Sequence, residues 1–124
     1  MQEASSIESG LIDVKKLMQA GDFAASERSL NLLVSKVPSN GDVLYMLAVC
    51  YRYQKRYPEA LDTLRKLRFS VPDHSRAYQE IGHVYRAMNQ VDAALNSYSQ
   101  AVLINPALEA SIRSNRSFAG GESI

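Results

Sequence analysis

At 124 residues, with 46% apolar and 22% charged residues and a net charge of +1, the chain can bury one modest core, and its charge is too balanced to recruit nucleic acid or an anionic membrane by bulk electrostatics. No window approaches the roughly 20 apolar residues a membrane-spanning helix needs, the opening MQEASSIESG has no apolar run behind a basic cluster, and the single Cys50 has no partner for an internal disulfide. A reducing, cytoplasmic setting is therefore expected, and seven Tyr with only six Gly and four Pro suit helices better than a turn-rich sheet, so no strand is expected.

Internal repetition decides the fold class. Pro38, Pro72 and Pro106 stand 34 residues apart, and alignment on them stacks three segments, 7–40, 41–74 and 75–108. Other columns agree: Leu17, Tyr51 and Tyr85; Phe23, Tyr57 and Val91; Leu30, Leu64 and Tyr98; Leu33, Leu67 and Ala101; Ser26, Ala60 and Ala94; and Ala48 over Gly82. The first segment predicts two helices broken at Gly21. In the second, Leu44, Leu47, Ala48 and Tyr51 fall at i, i+3, i+4 and i+7, and Tyr57, Ala60, Leu61, Leu64 and Leu67 renew the stripe after a break at Lys55, which predicts an antiparallel helix pair. The third segment repeats the pattern about Asn89. Gly and Asn suit a left-handed helix end, whereas Lys55 in that conformation carries a strain of about 1 kcal/mol. Each proline follows the second helix of its pair, where its missing N–H stops propagation; Ser39 or Asn40, and then Asp73 or Ser75, can cap the helix that follows. A further helix begins with Leu108 and Ile112 before the sequence turns to Ser, Gly and Asn, so 109–124 read as a partial capping helix with a flexible tail.

This pattern resembles the tetratricopeptide repeat (TPR). The third segment carries the family's residues at Tyr78, Ile81-Gly82, Tyr85, Ala94, Tyr98, Ala101 and Pro106, and the second at Leu44, Leu47-Ala48, Tyr51, Ala60, Leu64, Leu67 and Pro72. The first departs most, with Gly10, Asp13 and Val14 where bulky, bulky and small residues are usual, as an end cap with a wetter outer face would. The resemblance implies an all-α, right-handed α-α superhelix (solenoid) of three TPR helix pairs plus a partial C-terminal helix. It also implies that Gly82 lies where the helices of its pair cross, opposite a small residue such as Ala94. On that reading Gly82→Leu overpacks the pair at a cost of about 1–3 kcal/mol or more, while Gly82→Ala is nearly neutral.

Function then rests on the concave wall. The family's inward positions fall here on Glu8, Leu11, Lys15, Met18 and Gln19, on Asp42, Tyr45, Val49, Arg52 and Tyr53, and on Arg76, Gln79, His83, Arg86 and Ala87, with Arg113 added by the start of a fourth pair. The groove residues expected to bind a partner are Lys15, Tyr45, Val49, Arg52, Tyr53, Arg76, Gln79, His83, Arg86 and Arg113. Guanidinium groups fork onto carboxylates and Tyr rings offer a flat face with a hydroxyl, so an extended acidic peptide or a free C-terminus suits the lining. The competing reading is a set of solvated surface charges. The subgroup of the family that clamps chaperone tails wants basic and amide residues where this chain has Leu11, Lys15, Met46, Arg76 and Glu80; only Arg76 is compatible, so that ligand is not expected.

Other chemistry finds little support. His74 and His83 are nine residues apart with no second ligand at metal spacing, so no metal is expected, and His83 reads as a solvated helix residue ahead of a groove donor. Cys50 reads as a small buried thiol, no phosphate loop or nucleophile constellation is present, and neither a cofactor nor enzyme activity is expected. Lys55, Arg56, Arg65, Lys66 and Arg68 with Tyr53 and Tyr57 form a locally basic stretch, but Glu59 and Asp62 dilute it, and nucleic acid ranks below a protein partner. The runner-up function is self-assembly through an uncapped C-terminal edge around Tyr85, Tyr98, Val102 and Ile112. "LYMLAVCYRYQKRYPEAL" and "INPALEAS" are also similar to leading repeats of larger bacterial proteins that precede a sulfotransferase-like domain, which would make the chain a regulatory segment of an enzyme.

Overall fold

The computed structural model describes residues 2–113, with side chains from Ser6 onward. Six helices follow one another: α1 (Gln2–Gln19), α2 (Phe23–Lys36), α3 (Gly41–Tyr53), α4 (Tyr57–Ser70), α5 (Ser75–Ala87) and α6 (Val91–Ile104). A further helical stretch covers 108–113, and no strand occurs among the described residues, as expected. The chain falls into two compact units, Met1–Pro72 with α1 to α4 and Asp73–Ile124 with α5, α6 and the stretch from 108. The flexible tail expected past residue 113 lies outside the described residues.

The three turns share one geometry because one constraint acts on each. After α1, α3 and α5 the backbone must reverse within three residues, and it does so through Gly21 (φ 81°), Lys55 (φ 62°) and Asn89 (φ 62°), all left-handed. The N–H groups of Asp22, Arg56 and Gln90 donate to the carbonyls of Leu17, Tyr51 and Tyr85, each at 2.9 Å. Those of Gly21, Lys55 and Asn89 donate to Met18 (3.0 Å), Arg52 (2.9 Å) and Arg86 (3.0 Å). This double closure satisfies carbonyls that a helix end leaves open. Lys55 meets the demand with a Cβ that clashes in the left-handed region, and its side chain is exposed, so Lys55→Gly is expected to raise thermal stability by about 0.5–1 kcal/mol, read as a higher melting midpoint.

Helix starts divide by cap. Asp22 Oδ1 accepts from Ala25 N and Asn40 Oδ1 from Val43 N, both at 3.1 Å, so Asn40 is the cap of α3. At α5 the sequence reading is corrected: neither Asp73 nor Ser75 caps, because Ser75 is already helical and His74 holds the extended N-cap backbone. His74 Nδ1 accepts from Ala77 N at 3.1 Å, which puts the ring hydrogen on Nε2.

In the first unit Ile7, Val14, Leu30, Leu33, Val43, Leu47 and Cys50 form the buried cluster. Gly10 replaces the bulky residue of the other hairpins, and Leu33 takes the space, its methyl carbon 3.2 Å from where a Cβ would stand. The same unit is tied across hairpins by Arg56, whose Nη1 meets Glu27 Oε1 at 2.5 Å and whose Nε meets Glu59 at 3.0 Å, while Gln54 Nε2 donates to Glu27 at 3.1 Å. In the second unit Ala94, Tyr98, Ala101, Leu108 and Ile112 form the cluster. Tyr98 and Ile112, expected on an open edge, are buried there because the helical stretch from 108 lies on α6.

Gly82 requires a second correction. What stands nearest to it is the Tyr98 ring: a Cβ at residue 82 would stand 2.4 and 2.5 Å from two ring carbons. The expectation that alanine is tolerated there fails, because it was drawn from Ala48 of the second hairpin, where the column of Tyr98 is held by Leu64, a shorter side chain.

Candidate functional site

In the first unit α1 and α3 supply a cleft of about 400 Å³ lined by Lys15, Met18, Gln19, Phe23, Met46, Val49 and Tyr53. Helical spacing explains the grouping: 15, 18 and 19 share one face of α1, and 46, 49 and 53 share one face of α3. Lys15, Met18, Gln19, Val49 and Tyr53 were all selected from the sequence. Phe23 and Met46 were not, because the inward positions carried over lie only on first helices and omit Met46, while Phe23 opens a second helix.

The chemistry of this cleft is aromatic and cationic. The Tyr53 ring, more than half exposed, lies nearly parallel to Phe23, with centroids 5.3 Å apart and planes 9° apart. The Arg52 guanidinium carbon sits 4.8 Å from the Tyr53 centroid. These contacts fix the orientation of an exposed ring and set a positive charge beside it. Tyr45 is half-buried, and Leu11 packs onto the core of the unit.

Below the cleft, Cys50 is fully buried and its Sγ donates to the Phe23 carbonyl at 3.3 Å. Burial, aided by the Glu27 carboxylate, pushes its thiol up from the ordinary cysteine range, so it packs as a protonated group. Burial likewise raises the Tyr51 phenol, again with Glu27 adding to the effect, and Arg56 lies 4.7 Å over that ring.

The selected residues of the second unit are more scattered. Arg76 is exposed on α5, Gln79 is buried and Arg86 is half-buried. His83 Nδ1 is 2.8 Å from the Tyr98 hydroxyl in a hydrogen bond, with the rings edge to face at 5.4 Å. Arg113 pairs with Glu109 one turn earlier and lines a separate cleft along α6. Among the described residues no group of three or more His, Cys, Asp or Glu stands close enough to share a metal ion, and no helix is long and apolar enough to cross a membrane.

Sequence profiles of the tetratricopeptide repeat match residues 17–81 and 75–108. No curated protein matches the sequence. Among solved structures, MamA aligns with 24% identity and a TM-score of 0.73 over 81% of this chain and 58% of its own. A mutant of the Thermobaculum terrenum O-GlcNAc transferase aligns with 24% identity and a TM-score of 0.78 over 86% of this chain and 20% of its own. PcrH, solved with the chaperone binding region of PopD, aligns with 13% identity and a TM-score of 0.81 over 98% of this chain and 96% of its own. At these identities the likeness is one of fold. The chain spans little more than half the length of MamA and a fifth of that of the transferase.

Proposed function

The chain belongs to the tetratricopeptide repeat family, and from that premise we propose that it is a non-catalytic scaffold that holds an extended segment of a partner protein along α1 and α3. The observation that carries this reading is the exposed Tyr53 ring, pre-ordered on Phe23 and bordered by the Arg52 guanidinium, at the wall of a cleft large enough for a few side chains. A ring already fixed loses little conformational freedom on binding, and a partner residue laid against it gains contact area cheaply. Lys15 and Arg52 supply positive charge while Met18, Met46 and Val49 supply apolar surface, so the segment that fits alternates carboxylates with apolar residues. Met side chains adapt to differing shapes, which suits a segment recognised by composition more than by one fixed sequence. The PcrH complex, in which a related fold holds a partner segment, supports the reading by analogy.

The test uses a short fluorescein-labelled peptide alternating Glu with Leu, followed by fluorescence anisotropy. Wild type is expected to bind it and to prefer it over a Lys-Leu peptide of the same length. Lys15→Glu combined with Arg52→Glu is expected to weaken Glu-Leu binding by about tenfold or more, equivalent to about 1.4 kcal/mol, and to reverse the preference. Equal affinity in wild type and the double variant would overturn the assignment.

A further inference from the structure

Glu27 breaks the pattern of its column, whose other members are Leu61 and Leu95, and its partner Gln54 shares a column with Ala20 and Met88. The repeat itself therefore does not ask for a polar contact here. In the first unit that contact nevertheless joins α2 to the end of α3. Gln54, the C-cap of α3, donates from Nε2 to Glu27 Oε1 at 3.1 Å and to the Cys50 carbonyl at 3.3 Å. Arg56 Nη1 reaches the same carboxylate oxygen at 2.5 Å, and the Cys50 thiol donates to the Phe23 carbonyl at 3.3 Å. The first turn of α2 is thus held by three side chains from the region where α3 ends and α4 begins.

We infer that Glu27 and Gln54 are positioning residues of the α1–α3 cleft: by clasping α2 to the end of α3 they set the Phe23 ring on which Tyr53 stacks. That role rests on the binding proposed above for the cleft. Phe23 and Glu27 stand one turn apart on α2 and share a face, while Tyr53 and Gln54 are neighbours at the end of α3. The ring pair, with centroids 5.3 Å and planes 9° apart, and the polar pair therefore close the same joint. Stacked rings can slide over one another, whereas hydrogen bonds to a carboxylate are directional, and so they fix how the two helices register. A ring fixed before the partner arrives loses less freedom when it is covered. Neither Glu27 nor Gln54 lines the cleft, so both act through Phe23 and Tyr53.

Two substitutions of the full chain separate position from charge. Glu27→Leu installs the residue that its own column carries and removes the acceptor; Glu27→Gln keeps an acceptor oxygen and removes only the charge. By electrostatics alone, loss of this carboxylate should leave binding of the Glu-Leu peptide unchanged or tighten it. Positioning predicts the opposite sign for Glu27→Leu, a weakening of about fivefold, the cost of ordering one side chain on binding, with Glu27→Gln no weaker than wild type. Gln54→Met, which copies Met88, should weaken binding as Glu27→Leu does. Because a partly exposed ion pair contributes little to stability, Glu27→Leu should melt near wild type. The ring pair is read without any peptide: a proton NMR cross-relaxation peak between the Phe23 and Tyr53 rings is expected in wild type and Glu27→Gln and should be lost in Glu27→Leu. Absence of peptide binding in wild type would sink the function of the cleft and leave that peak to judge the hold on Phe23. A full-strength peak in Glu27→Leu overturns the assignment, as does a Glu27→Leu affinity equal to that of Glu27→Gln.

Discussion

Replacing Gly82 by alanine is expected to destabilise the second unit by about 1–3 kcal/mol, and replacing it by leucine by more. Carbon atoms pack best about 3.5–4.0 Å apart. The alanine Cβ would meet three atoms of the Tyr98 ring at 2.4, 2.5 and 2.9 Å. The ring cannot swing away cheaply, since Tyr98 is 6% exposed and its hydroxyl is held by His83 at 2.8 Å. Tyr98 belongs to the buried cluster of the unit, with Tyr78 and Tyr85 of α5 packed against it, so strain there is felt beyond the one contact. Its origin also predicts its cure. The second hairpin stacks Ala48 and Leu64 in the columns of Gly82 and Tyr98, so Gly82→Ala with Tyr98→Leu copies a pair that the chain already uses. Thermal melts should show the single variant well below wild type and the double variant recovering part of the loss, offset by the lost His83 bond. Equal midpoints for wild type and Gly82→Ala would refute the contact.

A comparable loss, about 2–5 kcal/mol, is expected in the first unit from Leu30→Ala. Leu30 is fully buried on α2 within the cluster that includes Ile7, Val14, Val43 and Leu47, drawn from three helices. Truncation removes transfer free energy and leaves a cavity between elements whose backbones are fixed by their own hydrogen bonds and cannot collapse into it. Domain stabilities are about 5–15 kcal/mol in total, so one such loss is a large share. Hydrogen exchange is the informative readout, because amides of α1 to α3 should speed up more than those of α5 and α6. Leu32→Ala serves as the control: two residues along the same helix but 67% exposed, it should change stability by no more than about 0.5 kcal/mol. Similar effects of the two substitutions would contradict the burial pattern.

The columns of the sequence made the helices legible because each column marks a position that every hairpin must fill alike. Gly21, Lys55 and Asn89 were recognisable as helix ends for the same reason, and all three are left-handed. Columns report equivalence between repeats; they are silent on which atoms meet across one hairpin. That is why Ala94 was expected opposite Gly82: both are small and both recur, but the Tyr98 side chain is long enough to cross the gap. The cap of α5 was misread for a different reason. Asp and Ser are better acceptors by type, and only the backbone shows that His74 holds the N-cap position. At the cleft, Lys15, Met18, Gln19, Val49 and Tyr53 were found from the family's inward positions, but Phe23 entered from α2, where no inward position was sought. Arg113, placed by extending the pattern beyond its last full repeat, pairs with Glu109 one turn earlier and lines the separate cleft along α6.

The central claim is that the job is done by the α1–α3 wall, and titration of isotope-labelled protein with the Glu-Leu peptide tests it most directly. Chemical-shift changes are predicted to concentrate at Lys15, Met18, Met46, Val49 and Tyr53, saturating together with one affinity. Changes confined to a different cleft of the first unit, around Asn31, Pro58 and Asp62, or no saturable change at all, would contradict it.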